Sequence, residues 1–181
     1  VSTPKRKGTL FEGHAGVFDE FTTAYGPTPD SNGLAKYRER IRPGAFRAGL
    51  AEGREVEALV NHNVDHIIAR RSNGTLKLWE DARGLAVRID AAPIELTATL
   101  ETLVARGDLG KMSFSYTLRE GGTSWSRGAD GIWTRNLTAL DIYEVSIVTR
   151  PAYAGTDVKV AWSAAGHAER SRAIELALGR R

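Results

Sequence analysis

The chain has 181 residues with 25 basic and 22 acidic side chains, a formal net charge of +3 and 41% apolar residues, the make-up of an ordinary globular domain with a core of its own. The absence of cysteine excludes disulfides, thiol nucleophiles and thiolate metal sites, and fits a reducing compartment. No apolar run approaches the roughly 18–20 residues that a membrane helix needs, and no apolar signal segment follows the basic Lys5-Arg6-Lys7.

The opening on Val1 reads as a trimmed product or part of a longer reading frame. Residues 1–8 form a basic segment, 9–162 read as one domain, and from 163 the chain turns Ala-, Glu- and Arg-rich, a flexible or helical tail. Much of the surplus positive charge is terminal, in Lys5, Arg6 and Lys7 and in Arg170, Arg172, Arg180 and Arg181. The body mixes both signs and shows no aromatic-plus-basic stacking pattern, so nucleic acid is not the expected partner.

In chain order, 10–21 has strand character and 26–33 is a cluster of turn formers that makes a loop. Pro43-Gly44 is a sharp stop, and 45–53 suits a short helix ending at Gly53. Residues 55–63 read as a buried strand running into polar residues at its end. Hairpins are expected over 67–91, where Asn73-Gly74 and 81–84 give turns and Leu76/Leu78 and Leu85/Val87/Ile89 alternate with polar residues. The period changes over 94–110: Leu96, Leu100, Leu103 and Val104 fall on one helix face, and Gly107 ends it. A strand follows over 111–118, with Met112, Phe114 and Tyr116 on one face and Ser113 and Ser115 on the other. After a Gly/Ser-rich loop or hairpin, 133–153 reads as one or two long strands broken at Pro151. The sum is an α+β, mainly β fold, an antiparallel sheet closed or nearly closed on itself.

Candidate chemistry starts from the four histidines. His14 and His167 have no obvious partner nearby in sequence. His62 and His66 are four apart, a metal-ligand spacing if the segment were helical; it lacks helix periodicity and a following Glu, so no metal and no cofactor are expected. The alternative is His62 as a general base at a strand end. Serine acyl transfer needs a nucleophile, a base and a group that orients the base, in any chain order. Ser113 is the candidate nucleophile and His62 the base, and the strand 140–149 offers two acids, Asp141 and Glu144. Three apart, these point to opposite faces of a regular strand, so only one can face His62 unless a bulge intervenes. The G-x-S-x-G elbow is absent.

Four segments in order, IRPGAF (41–46), LVNHN with IIARRSNGTLKLWEDARGLAVRID (59–90), RGDLGKMSFSY (106–116) and LDIYEVSIVTRPAYAGT (140–156), resemble the prohead (capsid maturation) serine proteases of tailed phages of the HK97 type. The likeness runs from about residue 8 to 160, and FEGHAGVFDEF fits the usual first strand of that family. The family is similar in turn to the herpesvirus assemblins, which implies a β-barrel wrapped by a few helices. It also implies a serine endopeptidase that acts on the major capsid protein and its scaffold segment, and on its own termini. The place of action would be the assembling prohead in the host cytoplasm, with no membrane partner and with a homodimer as an open option. Carried over by position, the base is His62 and the nucleophile Ser113. The third member is Asp141 by the assemblin register, which is favoured, or Glu144 by the phage pattern. The same register puts Thr149 and Arg150 at the oxyanion site, and Ser115 lines the site as a neighbour. The rival from another class is a non-catalytic assembly protein that keeps the barrel and binds capsid subunits; a third reading is a small barrel that binds nucleic acid through its basic ends.

Overall fold

The structure, a computed structural model, describes residues 8–161; the expected basic segment and C-terminal tail lie almost entirely outside them. Twelve strands and two helices follow in order. The strands are β1 (Thr9–Val17), β2 (Thr22–Thr28), β3 (Ser31–Ile41), β4 (Glu57–Val60), β5 (Ala69–Arg70), β6 (Leu76–Glu80), β7 (Gly84–Ala91), β8 (Lys111–Leu118), β9 (Thr123–Arg127), β10 (Trp133–Leu137), β11 (Leu140–Val148) and β12 (Asp157–Val160). Helix α1 (Arg47–Ala51) lies between β3 and β4, and α2 (Glu95–Arg106) between β7 and β8.

The fold is mainly β, but among the described residues the sheet is not a closed barrel. The strands split into three open four-stranded sheets ordered β12-β1-β7-β6, β2-β3-β10-β9 and β5-β4-β11-β8. Two pairings, β3 with β10 and β4 with β11, are parallel. The sheets meet at corners through single links, such as the bridge of Phe18 to Ile41 and the bond from the Val158 N–H to the Gly110 carbonyl at 3.2 Å. A closed barrel needs a continuous ladder around its girth, and these isolated links do not supply one.

Local chemistry accounts for the elements that frame the site. The β6–β7 turn is an Asx turn in which Asp81 Oδ1 accepts the amides of Arg83 and Gly84 at 2.8 and 3.0 Å. It sends Leu85, Val87 and Ile89 into the core. Helix α2 buries Leu100 and Val104, with Leu96 and Leu103 partly buried against the same cluster, as the period requires. It ends where Gly107 takes the left-handed conformation, φ 84°. The short α1 packs so tightly on β11 that a Cβ at Gly49 would collide with the Leu140 carbonyl oxygen. Phe46, just before α1, meets Phe114 of β8 edge to face at 5.4 Å, and burying each such ring contributes about 1.5–3 kcal/mol.

One buried charge ties two sheets together. Glu39 of β3 accepts from Arg135 Nε of β10 at 2.7 Å, from Tyr116 of β8 at 3.3 Å and from Tyr153 at 2.9 Å. Desolvation, and then the Glu39 charge, push both phenols well above the ordinary tyrosine range. They therefore remain protonated donors, and the carboxylate stays satisfied.

Candidate active site

The third sheet brings the sequence candidates together. Strand β11 runs between β4, parallel to it, and β8, antiparallel. Cross-strand pairing sets Ser146 beside Ser113 and Glu144 beside Ser115, and on the other side Ser146 beside Leu59 of β4. Ser113, Ser115, Glu144 and Ser146 thus share one face. Ser113 is only 4% exposed, so the hydroxyl face of β8 is not a solvated one at this point.

The pairing of β11 with β8 slips between Ile142 and Glu144, leaving Tyr143 as the extra residue of a bulge. The bulge resets the alternation, so that Asp141, opposite Thr117, falls on the same face as Glu144 although the two are three apart. A shared face does not bring them to the same partner. Asp141 Oδ1 accepts from Arg119 Nη1 at 2.6 Å, and Asp141 Oδ2 lies 3.5 Å from Arg54 Nη1. Arg119 also holds Glu52. Glu144 is the acid that meets His62: its Oε1 pairs with the imidazole Nδ1.

His62 reaches that position through an unusual backbone. After Val60 the chain passes through two successive left-handed residues, Asn61 (φ 51°) and His62 (φ 58°), a conformation that costs a residue with a Cβ about 1–2 kcal/mol. The Asn61 amide still bonds the Ile147 carbonyl at 3.0 Å, while its side-chain Oδ1 accepts the Thr149 amide at 2.9 Å. The His62 amide turns into the site and donates to Ser146 Oγ at 3.1 Å.

Glu144 therefore receives three donors. His62 Nδ1 and Ser115 Oγ (2.7 Å) converge on Oε1, and Ser146 Oγ (2.7 Å) takes Oε2. Its side chain is 6% exposed and that of His62 is 41% exposed, so a sheltered carboxylate holds an imidazole whose far edge is open. Paired with a carboxylate, Nδ1 carries the proton, and the lone pair lies on Nε2. The three hydroxyls of the face differ in what they can do next. Those of Ser115 and Ser146 are committed to Glu144, and Ser115 Oγ lies 3.5 Å from Nδ1, the protonated edge. The Ser113 hydroxyl makes no hydrogen bond among the described residues.

Of the other candidates, Thr149 and Arg150 close β11 on the side of the Asn61 turn; the Thr149 amide is committed to Asn61, and Arg150 is exposed. Among the described residues His66 hydrogen-bonds only Asn63, side chain to side chain at 3.3 Å and through its amide at 2.9 Å. Among the described residues no group of three or more His, Cys, Asp or Glu could hold a metal ion, and no helix is long and apolar enough to cross a membrane. His14, without a sequence neighbour to pair with, lies between Asp81 (2.9 Å) and Asp157 (3.3 Å). His167 lies outside the described residues.

Sequence reasoning missed Ser146 and Arg119. Ser146 was within reach of it, being two residues from Glu144 and so on the same strand face. Its hydroxyl is fully buried and links the His62 backbone to the second Glu144 oxygen. Ser146→Ala leaves one donor and one acceptor unsatisfied, at about 1–3 kcal/mol each. The expected result is a fall in kcat of about 10–100-fold with KM changed less than about twofold, read by steady-state kinetics beside a thermal melt.

A family model described as caudovirus prohead serine protease matches residues 1–171. No curated protein and no solved structure matches the chain.

Proposed function

The chain belongs to the caudovirus prohead serine protease family, and from that premise we propose that it is a catalytically competent serine endopeptidase. Its substrates are the major capsid protein with its scaffold segment, and its own termini, during maturation of a prohead of the HK97 type in the host cytoplasm. One observation carries the reading: a buried carboxylate, Glu144, engages Nδ1 of the partly exposed His62, on the strand next to the one that bears Ser113.

In the proposed mechanism Nε2 of His62 takes the Ser113 proton as the hydroxyl oxygen attacks the scissile carbonyl carbon. Glu144 keeps the imidazole in the Nδ1–H tautomer and offsets the charge of the imidazolium. The tetrahedral intermediate collapses as the imidazolium passes its proton to the leaving amine. Water then attacks the acyl-enzyme by the same route, giving the carboxylic acid and restoring the Ser113 hydroxyl. The missing Ser113–His62 bond does not count against this, because such bonds commonly tighten only once substrate is bound. With the Thr149 amide occupied by Asn61, Arg150 is the remaining candidate of that pair to stabilise the oxyanion.

The decisive experiment is co-expression with the capsid protein of the same phage. Wild type should shorten the capsid protein, and His62→Ala should leave it full length, with a loss of several orders of magnitude in rate. Equal cleavage by both would remove His62 from the mechanism. No cleavage by either, with the protein still bound to shells, would leave the non-catalytic assembly reading.

A further inference from the structure

We propose that the outward face of the β2-β3-β10-β9 sheet docks an acidic, partly apolar segment of the capsid protein; the proposal rests on the family's work within a prohead and is independent of which residues catalyse. Alternation along β3 places Leu34, Lys36, Arg38 and Arg40 on one face. The register of β2 on β3 sets Thr23 beside Arg38 and Tyr25 beside Lys36. Phe21, just before β2, lies against the Arg38 and Arg40 guanidiniums at 6.0 and 5.2 Å from its ring centre. No basic-aromatic pattern shows along the chain, because the aromatics come from one strand and the cations from its neighbour.

Two properties mark this face as a recognition surface. Phe21, Tyr25 and Leu34 are three of the eight large apolar side chains exposed among the described residues, and Leu34 is 83% exposed. Apolar groups gathered in this way, rather than scattered, mark a contact site. The cations beside them are also available. Lys36 makes no ion pair among the described residues, and Arg40 bonds only the neutral Asn136 Oδ1, at 2.7 Å. Arg38 holds Asp130 at 2.5 Å in a pair whose side chains are about two-fifths exposed, worth only about 0–1 kcal/mol and open to exchange for a partner's carboxylate.

The chemistry favours protein over nucleic acid. Alternate cations on a strand stand about 6.5–7 Å apart, the spacing of alternate carboxylates on an extended peptide. Only two cations of this face are uncommitted, whereas nucleic acid is held by a track of phosphate contacts. Of the two exposed rings on the face, Phe21 is already engaged by the Arg38 and Arg40 guanidiniums, which leaves Tyr25 alone where single-stranded nucleic acid stacks successive bases.

The test is the number of protease molecules per prohead, measured on sedimented particles after co-expression with the capsid protein. The double variant Lys36→Glu/Arg40→Glu and, separately, Leu34→Ser are each expected to lower incorporation at least about tenfold. Their thermal melts, and the rate at which a serine-directed phosphonate labels them, should match wild type. Incorporation at the wild-type level in both variants overturns the proposal. So does binding of a labelled oligothymidine by wild type that the double variant loses, which would assign the face to single-stranded nucleic acid. Because incorporation does not require cleavage, an error in the catalytic assignment would leave this readout intact.

Discussion

Ser113→Ala is expected to abolish capsid-protein cleavage, with kcat reduced by about four to six orders of magnitude, while Ser115→Ala keeps activity within about tenfold of wild type. The contrast is informative because both serines lie on one face of β8, two residues apart. Ser115 is the one with a contact to the histidine in the structure, 3.5 Å from Nδ1, and that contact alone would nominate it. Its proton, however, is given to Glu144 Oε1 at 2.7 Å, and the imidazole nitrogen beside it is the one paired with the same carboxylate. Neither partner can accept a proton from Ser115 without breaking the arrangement that orients the base. That leaves the unbonded Ser113 hydroxyl as the proposed partner of Nε2. Losing Ser115 removes one of three donors to Glu144, an effect of about 1–1.5 kcal/mol, or roughly tenfold in rate. Phosphonate labelling of intact protein gives the same answer independently: Ser115→Ala should be labelled and Ser113→Ala should not. Labelling of Ser113→Ala with loss in Ser115→Ala would exchange the two roles.

Much of what depended on local periodicity was legible in the sequence, although the turn formers of 26–33, expected as a loop, contribute to the ends of β2 and β3. Helix α2 followed from the spacing of Leu96, Leu100, Leu103 and Val104 and its end from Gly107; the β6–β7 turn followed from Asp81 and Gly84. The candidate residues could be named from their segments, and the fold brings His62 and an acid of the later strand into contact on the sheet that carries Ser113. Which acid meets His62 could not be read, because that contact depends on a bulge. Without the extra residue at Tyr143, Asp141 and Glu144 would face opposite ways; with it they share a face, and the choice falls to long-range partners. Arg119 and Arg54, supplied from elsewhere in the chain, take Asp141, and a left-handed turn with no glycine in it delivers His62 to Glu144. That the sheets stay open among the described residues was hidden for the same reason, since pairing between distant strands leaves no trace in local alternation.

Glu144→Gln is expected to lower kcat about 10³–10⁴-fold with little change in KM, while Asp141→Asn leaves kcat within about threefold and lowers stability instead. Gln fills the same volume and still accepts a bond, but it carries no charge to offset an imidazolium. Its amide can also donate to Nδ1, which stabilises the tautomer with its lone pair at the wrong nitrogen. Asp141 stands in a different circuit. Its side chain is 15% exposed and it bonds Arg119 at 2.6 Å, so loss of its charge should cost about 1–3 kcal/mol of folding free energy while Glu52 still holds the guanidinium. That second carboxylate is secure under assay conditions. Hydrogen bonds from Arg119 and then Arg54 lower the Glu52 pKa from 4.5 to about 2. Its stabilising share is therefore fully present above about pH 4.5 and is lost only as the pH falls toward 2. At neutral pH the two variants thus separate cleanly: Glu144→Gln should melt near wild type and fail to cleave, and Asp141→Asn should melt earlier and cleave. The reverse pattern would restore Asp141 as the acid behind His62 and make the Glu144 pairing structural.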